Sequence, residues 1–194
     1  MKTNLLASAL IGLSLAASVY GSDGPQEYRL LATNKTSTME KELNENAASG
    51  FRFETTMGGQ SAYGGKEVIV IMSRPASEAP AETYTYKLLA TKKTGTMQKE
   101  LQEAGLDGFE YKGQTVFQTA FGGKEVVVIL ERSSQKPLAR RFDYKILATN
   151  KTSTMQKELQ EAASEGFTLD GLSVGDTAFG GKEIVTILRK EVTP

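Results

Sequence analysis

The chain has 194 residues, with 23 lysines and arginines against 23 aspartates and glutamates, and it contains neither cysteine nor histidine. The missing histidine removes the commonest general acid/base together with the commonest zinc ligand. The even charge lacks the basic surface on which nucleic-acid affinity rests. Without cysteine, the fold is held by packing and hydrogen bonds rather than by disulfides.

Residues 1–21 combine Lys2, an apolar stretch from Leu5 to Ala17 and small residues ahead of a cut after Gly21. This is the pattern of a secretory signal peptide. The apolar run is shorter than the roughly 20 residues a membrane span needs and holds Ser8, Gly12 and Ser14, so a retained anchor is the weaker reading. No cysteine stands at the cut, which argues against a lipid anchor, and cleavage leaves 22 basic against 23 acidic residues. The expected location is exported, periplasmic or extracellular, with no membrane span after cleavage.

From Tyr28 onward the chain repeats itself. Tyr28 to Arg74, Tyr86 to Arg132 and Tyr144 to Lys190 align without a gap at a spacing of 58, and 20 of the 47 columns hold one residue type throughout. Agreement at that level implies one supersecondary unit used three times. The expected division is unit 1 at 27–74, a linker at 75–84, unit 2 at 85–132, a linker at 133–142 and unit 3 at 143–190. A core in so small a unit rarely supplies more than about 3 to 5 kcal/mol, so the copies are expected to share buried surface.

Each unit opens on a short apolar-rich segment, Tyr86 to Ala90 in unit 2, which reads as a strand. Ser37, Gly95 and Ser153 then stand three residues before Glu40, Gln98 and Gln156, the spacing of a capping box. Met39, Leu43 and Ala47 recur every four residues, and Gly50, Gly108 and Gly166 stand where a left-handed cap would close the helix. Phe51 and Phe53 flank Arg52 in the alternation of a half-buried strand. The closing segment, Val68 to Met72 or Val126 to Leu130, is apolar on both faces and is expected at the centre of its sheet.

The predicted fold class is therefore α+β. Three tandem β-α-β-β units each form a three-stranded mixed sheet in the order 1-3-2, with the third strand antiparallel to both neighbours, a right-handed crossover and one helix on one face. The bare face of each sheet is left for another copy. Both joins read as solvated linkers. The second, with Lys136, Arg140 and Arg141, is the better candidate for an acidic contact.

The order Tyr-Lys-x-Leu (Tyr28-Arg29 in unit 1), then Leu-x-Glu-x-x-x-x-Gly-Phe, then a closing apolar strand with a basic end resembles the small bacterial family called domain of unknown function 4177. The resemblance covers each repeat and implies the same strand, helix, strand, strand outline. It departs from the family in placing phenylalanine after Gly50, Gly108 and Gly166 where the family has tryptophan, and in its polar loop and Gly-Gly-Lys-Glu turn. No functional residues carry over.

That topology brings the loop before each helix and the turn before each closing strand to one end of the sheet. Lys35, Thr36 and Lys66 would gather there in unit 1, Lys93, Thr94 and Lys124 in unit 2, and Lys151, Thr152 and Lys182 in unit 3. Cations and hydroxyls at a helix N-terminus suit an anion, and three such sites could hold an anionic polymer by avidity. The competing reading makes the threonines turn formers, Gly64-Gly65 a hairpin turn and Lys66-Glu67 a solvated pair. Gly65-Lys66 is not a P-loop, because Glu67 follows and Gln60 stands where that loop needs glycine. Tyr63, Phe121 and Phe179 read as packing over the turn rather than ligand stacking, and Asn34 and Asn150 match the glycosylation acceptor pattern.

Together these features predict an exported, non-catalytic repeat protein that binds or supports structure in the cell envelope or periplasm. Its expected partner is an anionic envelope polymer or another protein, with no cofactor and no metal. The alternative is a glycan-cleaving hydrolase using paired carboxylates from Glu42, Glu67, Glu100, Glu125, Glu158 and Glu183.

Overall fold

A strand, a helix and two further strands recur three times in the computed structural model, which describes residues 24–60, 66–77, 82–118, 124–176 and 182–192. Unit 1 comprises β1 (Gln26–Thr33), α1 (Thr36–Ala48), β2 (Arg52–Gln60) and β3 (Lys66–Pro75). Unit 2 comprises β4 (Tyr84–Thr91), α2 (Thr94–Leu106), β5 (Glu110–Gln118) and β6 (Lys124–Ser133). Unit 3 comprises β7 (Arg141–Thr149), α3 (Thr152–Ser164), β8 (Thr168–Asp176) and β9 (Lys182–Val192). Residues 1–21, read above as a signal peptide, the Gly-Gly turns and Tyr63, Phe121 and Phe179 lie outside the described residues.

The sheets are ordered β1-β3-β2, β4-β6-β5 and β7-β9-β8, as the doubly apolar closing strands require. Every bonded pair is antiparallel, so each sheet is antiparallel and not mixed as expected: the two strands that run parallel are the outer ones, which the closing strand keeps apart. Each second strand skips one residue in its register, between Phe53 and Thr55, Tyr111 and Gly113, and Leu169 and Gly171. Such a bulge re-aims a side chain, and the skipped residues Glu54, Lys112 and Asp170 are all charged.

Each helix ends as the sequence leads one to expect, with Gly50, Gly108 and Gly166 at φ near +86°, +84° and +88°. The basic end of the closing strand completes that terminus. Arg74 and Arg132 donate to the carbonyls of Ser49 and Asp107 just past their helices, and the Lys190 ammonium reaches Glu165 in the same way. The same three side chains lie over the rings of Phe51, Phe109 and Phe167, each partnered by Arg29, Lys87 or Lys145.

The N-termini depart from the expected capping boxes. Each helix begins two residues early, with Lys35, Lys93 or Lys151 at the N-cap and no side chain capping it. Thr33, Thr91 and Thr149 accept the amides of those lysines and turn the chain into the helix ahead of Ser37, Gly95 and Ser153. Glu40 and Gln98 are thereby freed for the next unit.

The units stand in file, α1 and α2 each against the first strand of the unit that follows. Met39, Leu43 and Ala47 are buried beneath Tyr86, Val127 and Ile129 of unit 2 in one core. Met97, Leu101 and Ala104 share the next with Phe142, Tyr144 and Ile187 of unit 3. The core of α3 has no successor and holds Ala162, Phe167 and Leu188.

Candidate functional site

Lys35 and Lys93 stand exposed at their helix starts, each followed by a half-buried Thr36 or Thr94, while Lys151 and Thr152 are both exposed. Lys66, Lys124 and Lys182 begin the central strands. Thr33 faces Val68 across the sheet, two residues from Lys66, so the loop and the strand start share one end. In unit 2 that end meets the joint with unit 3. Thr91, Lys93 and Thr94 line a cavity of about 10 Å³ whose far wall is Ile146, Val185 and Ile187. That is room for about one water.

The perturbed side chains lie at the joints instead. Leu88 donates its backbone N–H to Glu40, while Asn44 both donates to the Tyr86 carbonyl and accepts the Tyr86 N–H. At the second joint Gln98 serves the Tyr144 carbonyl and the Ile146 N–H, and Gln102 accepts the Tyr144 N–H. Polar side chains one helical turn apart thus take the place of a neighbouring strand and satisfy an edge that would otherwise be open.

Below this seam lies a charged layer. Arg52 donates to both oxygens of Glu131 at 2.8 to 3.2 Å and stacks on Tyr84. Glu131, 3% exposed, also accepts the Tyr86 hydroxyl at 2.6 Å and lies 3.3 Å from Lys112. At the second joint the same two columns carry opposite signs, with Arg189 donating to Glu110 at 2.7 Å. Arg140, from the basic linker, reaches both Glu110 and Glu191, so its acidic contact is intramolecular.

Burial opposes the charge on Arg52, but the hydrogen bond and charge of Glu131 outweigh it and raise its pKa. Burial likewise works against ionised Glu110, and the charges of Lys112 and Arg189 overcome it, leaving the carboxyl below its ordinary value. Tyr86 and Tyr144 are pushed well above a free phenol, chiefly by burial. Tyr84 is raised to about 12 by burial and its bond to Glu82. Asp170 is raised to about 6 by burial despite Arg189.

Arg52, Tyr84, Glu110, Glu131 and Arg140 border a cleft of about 170 Å³ between the two charged pairs. A glycosidase pair needs one carboxyl held protonated beside one held ionised. Here arginine clamps both, and Glu110 moves away from the protonated form. Glu42, Glu67, Glu100, Glu125, Glu158 and Glu183 line neither this cleft nor the small cavity. Among the described residues no group of three or more acids could hold a metal, and no helix is long and apolar enough to cross a membrane.

No protein-family model matches the chain, and neither does any curated protein or solved structure. Sequence reasoning missed the joint layer because its signal is a difference between copies. Columns 52/110 and 131/189 hold Arg-Glu in the first joint and Glu-Arg in the second, a reversal that agreement among the repeats conceals.

Proposed function

We propose that the protein is an exported, non-catalytic repeat protein with a binding or structural role in the cell envelope or periplasm, its units akin to the domain of unknown function 4177 family. The observation that carries this reading is the use made of the perturbed groups. Arg52 and Glu110 are spent in clamps that join one unit to the next, and Tyr86 and Tyr144 lie buried in the same seams. A rigid file of units spaces its exposed ends at fixed intervals, which serves binding or scaffolding rather than turnover. Export is supported by the composition of residues 1–21.

The test is expression of a C-terminally tagged chain in a bacterial host, followed by fractionation and N-terminal sequencing. Recovery outside the cytoplasm with an N-terminus near Ser22 is expected. Purified protein incubated with envelope glycans should release no new reducing ends. Cytoplasmic retention, or glycan cleavage that stops when Glu110 and Glu131 are changed to glutamine, would contradict it.

A further inference from the structure

The chain carries two half-joints, one at each end of the file. Tyr28 is 67% exposed, whereas its equivalents Tyr86 and Tyr144 are 2% and 1% exposed beneath the preceding unit. Leu30 and Met57 are exposed on the same face of unit 1, and Leu169, Leu172 and Val174 on the opposite face of unit 3. Large apolar side chains gathered in this way mark a contact surface.

The polar parts of a joint are present as well. Gln156 and Gln160 of α3 repeat the Gln98 and Gln102 pair that holds the edge of β7, yet both are exposed and neither side chain makes a hydrogen bond among the described residues. No helix lies against the outer edge of β1 among the described residues, so that edge awaits such a pair.

We propose that the protein associates head to tail with a second copy, the α3 and β8 face of one molecule receiving the β1 edge of the next. Three substitutions fit the ends to each other. At the internal joints Phe53 and Tyr111 lie over Gly113 and Gly171, where a Cβ would meet their rings. At the ends the ring becomes Leu169 and the glycine becomes Thr55, a smaller side chain opposite a larger one.

Gly58, which approaches Thr115 closely, corresponds to Val174, and Thr115 corresponds to the exposed Met57, making that contact apolar. The clamp columns, Arg52 with Glu131 and Glu110 with Arg189, become the uncharged Thr168 and Ser73, the latter donating its hydroxyl to Glu54 of its own unit. Seating an end face on an internal one would leave a buried clamp charge opposite an uncharged column, so charge keeps the ends from exchanging with the internal joints. A contact between unlike faces extends from molecule to molecule, growing a filament or closing a ring. The inference goes beyond the proposed role, since it depends on these faces and not on where the protein resides.

Sedimentation of the purified full chain over a concentration series tests it, with Leu30→Lys blocking the front and Leu172→Lys blocking the back. Both positions are exposed, so helicity, and melting at dilutions where the parent is monomeric, should match the parent. The parent should grow in steps of one chain mass. Each variant alone should stay monomeric, and their equimolar mixture should form a one-to-one dimer that grows no further. Gln156→Ala with Gln160→Ala, a milder change, should weaken association about tenfold or more.

A parent that stays monomeric at every concentration would overturn the proposal, and protected β1 amides in that monomer would assign the front face to the chain's own N-terminal segment. Dimers formed by either blocked variant alone would also overturn it, showing that like faces pair. So would a mixture that remains monomeric.

Discussion

Tyr86 and Tyr28 occupy one column of the repeat, yet the first is sealed beneath α1 and the second stands in solvent. The same contrast separates Leu43 and Leu101, fully buried under the following unit, from the half-buried Leu159 of α3. Burial at these columns therefore depends on the neighbouring unit, the preceding one for the tyrosine and the following one for the leucine, and not only on the unit that owns the residue. A residue type kept in all three copies is doing two different jobs, core at the joints and contact surface at the ends.

The largest expected effect is the loss of a buried ring at a joint. Tyr86→Ala should cost about 3 to 5 kcal/mol in urea unfolding, because it removes core volume and leaves the Phe53 amide and Glu131 short of a partner. Tyr28→Ala, measured on monomeric protein, should stay within about 0.5 kcal/mol. Equal losses at the two positions would break the comparison.

Next comes the clamp. Arg52→Ala leaves the buried Glu131 carboxylate with only the Tyr86 hydroxyl and Lys112 and should cost about 2 to 3 kcal/mol, discounted because Arg52 is half exposed. Combining Arg52→Glu with Glu131→Arg, which imitates the Glu110–Arg189 pair of the other joint, should recover more than half of that loss in a double-mutant cycle.

How much of this could be read in advance differs by level. The unit was legible because its determinants are local. A glycine at positive φ, a stripe at Met39, Leu43 and Ala47 and a doubly apolar closing strand each constrain only their own neighbourhood. The need for a neighbour over the bare sheet face was legible too, from size alone. The way the neighbour docks was not. Glu40 at its spacing from Ser37 suits a capping box, and the same carboxylate suits a foreign strand edge equally well, since both offer a backbone N–H. The lysine and threonine positions were conspicuous because all copies share them, whereas the joint layer rests on Arg52, Glu110, Glu131 and Arg189, which differ from copy to copy.

A smaller effect separates the helices. Gln98→Ala leaves the Tyr144 carbonyl and the Ile146 amide without their partner and should lower stability by about 1 to 2 kcal/mol. The equivalent Gln156→Ala should leave the monomer unchanged within about 0.5 kcal/mol, as read by thermal melting.

The smallest effect is a pH dependence confined to the second joint. Burial raises the Asp170 carboxyl to about 6, so protonation is easier in the folded protein than in the unfolded chain. Its contribution to stability is therefore gained as pH falls from about 6 towards 4 and lost as pH rises through about 6. Asp170→Asn should add up to about 1 kcal/mol near pH 7 and almost nothing near pH 4. Melting curves at the two pH values read the difference.

Amide hydrogen exchange of the three first strands, followed on the Leu172→Lys chain so that copies do not cover β1, tests most directly the claim that each helix seals the edge of the following unit. Leu88 and Ile146, whose amides are held by Glu40 and Gln98, should be protected to nearly the same degree as the central strands, while the equivalent amide of Leu30 should exchange far faster. Leu30 protected as well as Leu88 and Ile146, or all three exchanging freely, would contradict the account.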